Sequence, residues 1–220
     1  DEQRSLRRLL RSHDQERKLI AYEIGYRMQP SPRSSFSIST FYNVYDDLRT
    51  FEPANPPVHP PPFNLYPFSF ANMMEGHAWG VELWGAYSVN DNWRLSAGYK
   101  HLDQDLRRQA DSRDTITRFG LTDPAHQFSL RSAMNFAHNL ELDVSLRAVS
   151  AIASAKDSPP RQKIPGYAAV DANLGWAVSK QLDVSLTGFN LFDKRHMEFE
   201  TNVGRAALGR SVFLKVAWKY

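Results

Sequence analysis

The sequence predicts an all-β protein, an antiparallel segment of a transmembrane β-barrel, and three observations support this prediction. First, every second residue is apolar in 140–148 and again in 212–220, while most residues between are charged, polar or small. That period is typical of a β-strand with different surroundings on its two faces. Second, the alternating segments run for about ten residues or more, enough for a tilted strand to cross a bilayer. Third, their connections alternate between short and long, as in outer-membrane barrels.

Composition excludes several other classes of protein. The chain has 220 residues, with 27 basic and 24 acidic residues and a net charge of +3, which argues against a dedicated nucleic-acid binder. Mean hydropathy is −0.50, and no apolar run is long enough for a transmembrane helix. The absence of cysteine excludes disulfides, thiol catalysis and cysteine-ligated metal. The aromatic content of 12% fits the interfacial girdles of a membrane barrel.

Residues 1–17 are dominated by charge, and we expect a solvated loop or part of a preceding element there. The chain starts with Asp1, and no signal peptide precedes the strands. Because a membrane barrel must be exported, we expect a piece of a longer or processed protein. Residues 18–220 are then the C-terminal part of an outer-membrane β-barrel.

The first four strands are predicted at 18–28, 35–50, 76–89 and 93–102. The first sets Tyr22, Ile24 and Tyr26 on one face against Glu23 and Arg27 on the other. A tight turn with Pro30 and Pro32 follows it, and Asn90-Asp91-Asn92 joins the third and fourth strands. Seven prolines fall within 53–67, so this long loop is predicted to lie outside the ladder.

A charged loop is predicted at 103–123, followed by strands at 125–136, 140–152, 166–178, 182–191 and 210–220. Short turns at 137–139 and 179–181 alternate with long connections, the last at 193–209. Soluble sandwich strands are usually about five or six residues long, so a soluble antiparallel β-protein is the less favoured alternative.

Three motifs near the C-terminus resemble a known family. Ile164-Pro165-Gly166-Tyr167 is followed by Asp171, and the eighth strand leads into Asn190-Leu191-Phe192-Asp193-Lys194. Gly209-Arg210-Ser211 then opens an alternating segment with an aromatic end. This order and spacing resembles the C-terminal end of TonB-dependent outer-membrane receptors. Upstream segments at 22–27, 41–48 and 80–83 are similar to the middle strands of that family.

The resemblance implies a barrel of about 22 strands with a plugged lumen. It also implies import of a scarce ligand, most often a ferric siderophore, with energy from the inner-membrane TonB complex acting on an N-terminal box. Nine strands are visible here, and neither plug nor TonB box is recognisable. Two unpaired sheet edges are not tolerated in lipid, so we expect the missing N-terminal barrel and plug to come from further sequence or from a partner chain.

The last strand resembles the signal read by the barrel-assembly machinery. The residues concerned alternate along it and end on an aromatic side chain: Val212, Leu214, Val216, Trp218 and Tyr220. An ordinary last strand with a girdle aromatic would have the same pattern. The Asn190–Asp193 corner is interpreted as structural, because Asn and Asp side chains bond their own backbone at strand ends.

Candidate ligand contacts are the loop arginines, which could grip anionic chelates such as an iron chelate through forked hydrogen bonds. They are Arg107, Arg108, Arg113 and Arg118, with His59 and Tyr66 in the Pro-rich loop. A solvated loop, or contact with lipopolysaccharide phosphates, is the alternative for the arginines. Met73, Met74 and His77, and separately His196 and Met197, are soft-ligand candidates, but no metal site or cofactor is assigned.

Charged residues on the lumen side need no individual function, because a water-filled or plugged interior requires polar walls. They are Glu23, Arg27, Glu82, Arg94, Lys100, Arg131, Glu141, Asp143, Arg147, Asp171 and Asp183. No nucleophile elbow, zinc-protease motif or phosphate loop is present, so no enzyme is predicted. A TonB-dependent importer in the bacterial outer membrane is therefore the favoured function. A passive porin-like or structural barrel and an outer-membrane hydrolase are the alternatives.

Overall fold

The structure, a computed structural model, describes residues 17–53, 68–115, 123–152, 164–193, 195–198 and 207–219. Apart from one turn of 3₁₀ helix at Ala137–Asn139, its regular elements are strands. They are β1 Lys18–Ser31, β2 Ser34–Pro53, β3 Phe68–Asn90, β4 Trp93–Arg108, β5 His126–Phe136, β6 Leu140–Val149, β7 Tyr167–Ala177, β8 Leu182–Phe189, β9 Arg195–Met197, β10 Ala207–Gly209 and β11 Ser211–Trp218. Over these ranges, no helix is long and apolar enough to cross a bilayer.

Nine of the strands form one sheet in the order β1-β2-β3-β4-β5-β6-β7-β8-β11. Each strand lies beside its neighbour in sequence, except that the short β9 and β10 form a separate antiparallel pair. The predicted nine-stranded antiparallel sheet is confirmed.

The register separates the sheet into an apolar and a polar face. Val144 on β6 lies opposite Ser132 on β5 and Ala172 on β7, whereas Ser145 lies opposite Arg131 and Asp171. The same register continues across the other paired strands. The apolar face therefore carries Tyr99, Phe128, Leu130, Leu142, Val144, Leu146, Leu174, Leu186, Leu214 and Val216.

On the polar face, oppositely charged side chains pair between neighbouring strands. Lys100 Nζ lies 3.4 Å from Glu82 Oε1, and an Arg131 guanidinium nitrogen lies 2.8 Å from Asp143 Oδ1. Such exposed pairs add little stability individually, but they neutralise the charge along this face.

Large aromatic side chains mark the short-turn end of the apolar face. Trp93 follows the turn after β3, and Phe136 precedes the turn after β5. Trp176 lies near the end of β7, and Trp218 on β11 lies opposite Leu182, the first residue of β8. All four are more than one third exposed within the chain, with Trp218 at 63%. Aromatic rings in such a row are typical of the girdle at a membrane–water interface.

The chain comprises two compact units. One contains 1–23, 41–79 and 103–121, and there the buried Asp114 carboxylate accepts a 2.8 Å hydrogen bond from the backbone N–H of Phe51. In the same unit, Glu52 accepts from the Ser112 hydroxyl and the Arg113 backbone N–H, both at 2.7 Å. The other unit contains 24–40, 80–102 and 122–220 and buries Ala86, Ile152, Ile164 and Ala169.

Several predicted strand limits are wrong. β3 begins at Phe68 rather than 76, and β4 runs to Arg108 through the start of the predicted 103–123 loop. Charged and aromatic pairs stabilise this extension: Arg107 lies 3.0 Å from Glu75, and the Trp79 indole donates to Asp103 at 3.1 Å. Pro53 belongs to β2, at its last residue, where a missing N–H is tolerated.

The other differences lie nearer the C-terminus. β6 ends at Val149 instead of 152, and Ile152 forms an isolated bridge with Ile164. The predicted loop at 193–209 contains β9 and β10, which pair from Met197↔Ala207 to Arg195↔Gly209.

Gly76, within β3, lies very close to the backbone of β4. Its φ of +150° is rarely adopted by other residues, and an added Cβ would overlap the Asp105 carbonyl oxygen. The close approach of β4 therefore requires glycine here.

Candidate functional site

Four side chains from three strands and a strand end converge on the polar face near the long connections. Arg147 on β6 and Tyr167 on β7 face the β9–β10 hairpin, which carries His196 and the following Glu198. An Arg147 guanidinium nitrogen lies 2.6 Å from Glu198 Oε1. The Tyr167 and His196 rings stack with centroids 4.0 Å apart and planes 12° from parallel. We call Arg147, Tyr167, His196 and Glu198 the mouth cluster.

His196 is the buried centre of the mouth cluster, with 8% of its surface exposed. Its Nε2 lies 3.1 Å from Glu198 Oε1, and its Nδ1 lies 3.2 Å from Asp193 Oδ2. The Arg147 guanidinium carbon lies 5.5 Å from the Tyr167 ring centroid, within cation–π range. The two strands and the hairpin are thus joined by charge and ring contacts.

The surroundings of Glu198 favour its ionised form. Burial opposes ionisation, but hydrogen bonds from His196 and Tyr167 and the charge of Arg147 outweigh it. Together they lower the pKa of the Glu198 carboxyl below its ordinary value of 4.5. Glu198 is therefore a carboxylate at neutral pH, held by several donors.

A cavity of about 210 Å³ adjoins the mouth cluster. Its apolar wall includes Val149, Ile152 and Ile164, while Gln127, Arg147 and Glu198 provide polar groups. A space of this size holds several water molecules or one small ring. It can therefore accept an amphiphilic group that reaches the polar face from the side of the long connections.

Two of the sequence motifs that carried the resemblance meet in the structure. The Asn190 backbone N–H donates to Asp171 Oδ1 at 2.8 Å, and the Leu191 N–H donates to the Val170 carbonyl oxygen at 2.8 Å. Asn190 is buried, and its side-chain amide donates to the Leu208 carbonyl oxygen at 3.3 Å. Asp193 Oδ1 accepts from the Arg195 N–H at 3.3 Å, while Pro165 lines the cavity. Phe192 and Arg210 are exposed.

The predicted ligand-contact residues do not form one cluster. Arg107 is engaged by Glu75, and Arg108 ends β4. Arg113 has an exposed side chain, although its backbone is fixed by Glu52. His59, Tyr66 and Arg118 lie outside the described residues.

The proposed assembly residues lie on one face of β11. Val212, Leu214, Val216 and Trp218 alternate there and are 61–69% exposed. Tyr220 lies outside the described residues.

Three of the five soft-ligand candidates are buried or packed against other side chains. Met74 is buried, His77 stacks on Tyr42 with ring centroids 5.8 Å apart, and His196 belongs to the mouth cluster. In the part of the chain that the structure describes, no three His, Cys, Asp or Glu side chains are grouped to hold a metal ion.

Sequence reasoning missed the mouth cluster as a unit. Arg147 was predicted to face the lumen, Tyr167 belonged to a motif, and His196 was considered only as a metal ligand. The alternation of His196 and Glu198, two residues apart, is the one local signal that both side chains share a face. The contact of Glu198 with Arg147, 51 residues away, is tertiary.

Comparison with known proteins decides the family. The family model described as "TonB dependent receptor-like, beta-barrel" matches residues 18–191. The chain belongs to the TonB-dependent receptor β-barrel family. Its location is accordingly the bacterial outer membrane, with the apolar face toward lipid and the polar face toward the barrel lumen.

Curated relatives of this receptor segment are considerably longer. A probable TonB-dependent siderophore receptor, PiuA of Acinetobacter baumannii, is 28% identical over 167 residues, covering 70% of this chain and 22% of the relative. The catecholate siderophore receptor Fiu of Escherichia coli is 26% identical over 117 residues, covering 52% and 15%. The chain thus spans less than a quarter of the length of these relatives.

Solved receptors share the fold. The FrpB iron transporter of Neisseria meningitidis superimposes with a TM-score of 0.73 at 17% identity, covering 93% of this chain and 31% of that one. The siderophore receptor PiuA from Acinetobacter baumannii gives a TM-score of 0.67 at 21% identity, covering 92% and 28%. At these identities the likeness establishes the fold and not the ligand.

Proposed function

We propose that this chain is the C-terminal barrel part of a TonB-dependent transporter that imports a ferric siderophore. The observation that carries the proposal is the family match over residues 18–191, together with curated relatives named as siderophore receptors. The polar face, with its self-neutralising ion pairs, is consistent with a lumen wall beside a plug.

Each part of the chain has a role in this proposal. The long connections and the mouth cluster contribute to ligand capture at the extracellular end, and β11 supplies the signal for the barrel-assembly machinery. The apolar face contacts lipid, and lipopolysaccharide contacts the outer rim. The TonB complex supplies the energy by acting on an N-terminal part of the receptor that also contains the plug.

Among the candidate ligand contacts, Arg113 is the one we propose first. Its backbone is held by Glu52 while its guanidinium group is exposed, so the side chain is presented from a fixed point. Arg107 is the weaker candidate, because binding an anionic chelate would require it to leave Glu75.

The proposal is tested by uptake of radioactive iron in an iron-starved strain that lacks the intact receptor gene. Complementation with the whole gene should restore uptake from at least one ferric siderophore, and removal of TonB should abolish it. A receptor that restores solute entry equally well without TonB would be a passive pore and would contradict the proposal.

A further inference from the structure

We infer that the cavity beside the mouth cluster binds an uncharged ring that carries an amide or hydroxyl group, and that it discriminates against charged groups. We call this space the mouth cavity. The inference rests on the proposed function only in assigning the ring to the imported chelate, as a peripheral arm and not as the group that binds iron. The charge preference and the size limit follow from the residues that line the cavity.

The register of three strands builds one wall of the mouth cavity. Val149, the last residue of β6, lies directly opposite Gln127 on β5 and Tyr167 on β7. All three residues line the cavity. Because residues directly opposite each other project from the same face of a sheet, their side chains stand side by side. The strand pairing therefore fixes this wall.

Two isoleucines close the outer end of the mouth cavity. Ile152 and Ile164 form an antiparallel bridge beyond β6 and before β7, and they are 9% and 8% exposed. The adjoining backbones lie close together, since a Cβ added to Gly166 would come within 2.8 Å of the Val149 carbonyl oxygen. This end of the cavity is therefore apolar and closely packed.

The volume of the mouth cavity sets the size of its occupant. An apolar cavity of about 150 Å³ holds one benzene molecule. At about 210 Å³, the mouth cavity has room for one ring with a small substituent. Met197 from the β9–β10 hairpin also lines it, and its flexible thioether can adjust to the shape of a ring.

The charged side chains in the lining neutralise each other. An Arg147 guanidinium nitrogen lies 2.6 Å from Glu198 Oε1, and the same oxygen lies 3.1 Å from His196 Nε2. An anionic occupant would have to displace the Glu198 carboxylate from Arg147, and a cationic occupant would have to displace Arg147 from Glu198. Either exchange leaves one member of the pair without its partner, which is costly away from bulk water. The mouth cavity therefore favours an occupant without net charge.

Two uncharged polar groups in the lining are available to an occupant. The Gln127 amide makes no hydrogen bond to another described residue. Ser150 Oγ accepts from the His126 backbone N–H at 3.0 Å, so its hydroxyl proton remains for a ligand oxygen. Since Gln127 can donate and accept, it suits an amide or hydroxyl substituent on the ring better than a plain hydrocarbon.

The test uses the intact receptor that contains this chain, in lipid nanodiscs, titrated by fluorine NMR with three ligands that share one ring. They are para-fluorobenzamide, which is neutral, para-fluorobenzoate, which is an anion, and para-fluorobenzamidine, which is a cation at neutral pH. Empty nanodiscs measure the partition of each ligand into lipid, and that signal is subtracted. We expect para-fluorobenzamide to bind about tenfold more tightly than either ion, or better.

Tryptophan at two adjacent positions separates filling of the cavity from a general effect on the barrel. Val149→Trp fills the cavity and should abolish binding of para-fluorobenzamide. Ala148→Trp adds the same ring to the apolar face, opposite Phe128 and Ala168, and should bind para-fluorobenzamide as the parent does. Equal binding by the parent and Val149→Trp would overturn the inference.

Two further variants add no bulk to the cavity. Glu198→Gln leaves Arg147 without its carboxylate partner, so the affinity for para-fluorobenzoate should rise by about tenfold. Gln127→Met removes the amide from a side chain of similar size and should weaken para-fluorobenzamide binding by about threefold to tenfold, the contribution of one hydrogen bond. A parent that prefers para-fluorobenzoate, or a Glu198→Gln variant without any gain in its binding, would also overturn the inference.

An uptake measurement tests whether the ring belongs to the imported chelate. In the iron-starved strain, Val149→Trp should raise the concentration of ferric siderophore needed for half-maximal iron uptake by about tenfold, while Ala148→Trp should not. An unchanged concentration in Val149→Trp would refute the assignment of the ring to the cargo. Failure of the parent to import any ferric siderophore would instead contradict the proposed function, because the fluorine titration tests the cavity without transport.

Discussion

Asn190 adopts a left-handed backbone conformation, with φ of +52°, at the corner where β8 ends. Asparagine tolerates this conformation better than most residues, and its N–H is bound by the Asp171 carboxylate. Through this hydrogen bond, the corner that leads from β8 toward β9 is attached to β7. This geometry gives a physical reason for an Asn and an Asp at these two motif positions.

We expect Asp171→Ala to destabilise the intact receptor by about 1–3 kcal/mol, because the Asn190 N–H loses a charged acceptor. Asn190→Gly should be milder than Asn190→Val, since valine resists positive φ. The stability of each variant is measured as the midpoint of urea unfolding, with heat-modifiable gel mobility as the signal for the folded barrel. Equal effects of glycine and valine would show that the backbone conformation does not determine the cost.

Glu198 makes the mouth cluster sensitive to acid. A carboxyl whose pKa is lowered by folding contributes stability above its unfolded pKa and loses it as pH falls through the folded value. The difference in melting temperature between the parent and Glu198→Gln should therefore stay constant from pH 8 to about pH 5 and shrink as the pH falls further, through the lowered folded pKa of Glu198.

Glu141→Gln is a matched control for this measurement. Glu141 also lies on the polar face, opposite Asn135 and Gly175, and it is exposed. The difference in melting temperature between the parent and Glu141→Gln should be small at every pH measured. A Glu198→Gln difference that grew toward low pH would contradict the assigned direction of the pKa.

At the scale of the element, β6 offers a direct test of which face meets lipid. Val144 lies between Ser132 and Ala172 on the apolar face, and its neighbour Ser145 lies on the polar face. Val144→Arg should cost about 2–4 kcal/mol near the bilayer midplane. Ser145→Arg should be far milder, since its side chain enters the polar lumen beside Asp171. Both free energies are measured by reversible folding into lipid vesicles. Equal penalties for the two variants would contradict the assignment of Val144 to the lipid face and Ser145 to the lumen face.

The strands that could be predicted are those whose two faces differ in composition. β5, β7 and β8 match their predicted limits within two residues, because apolar and polar positions alternate until a turn begins. The extension of β4 was missed because Asp103, Asp105 and Arg107 resemble a solvated loop. Pairs such as Arg107–Glu75 join residues 32 positions apart, and a single sequence does not reveal such contacts.

The candidate site was less predictable than the sheet. Alternation placed Arg147 on the polar face, but the β9–β10 hairpin has three residues per strand, too few to establish a period. The stacking of His196 on Tyr167 depends on how that hairpin folds back, which is a tertiary property. The motif residues were identified by resemblance, and their contacts emerged only from the structure.

At the scale of the whole molecule, the sheet order leaves β1 and β11 as its two outermost strands. Each has one hydrogen-bonded neighbour in the sheet that the structure describes. Unpaired backbone groups are costly in lipid. We therefore expect residues 1–220, expressed alone, to fail to form a closed barrel.

The measurement is heat-modifiable migration of the purified chain in detergent, with the intact receptor as the positive control. The intact receptor should migrate as a compact species until it is boiled, whereas the 220-residue chain should not. A stable compact monomer from the short chain would mean that β1 and β11 can pair with each other.

The β9–β10 hairpin stands apart from the ladder of the nine-stranded sheet, and side chains such as Arg147 and Tyr167 anchor it. A segment attached in this way can be exchanged without rethreading the strands beneath it. Substitutions in the hairpin can thus accumulate while the pairing of the nine strands stays the same.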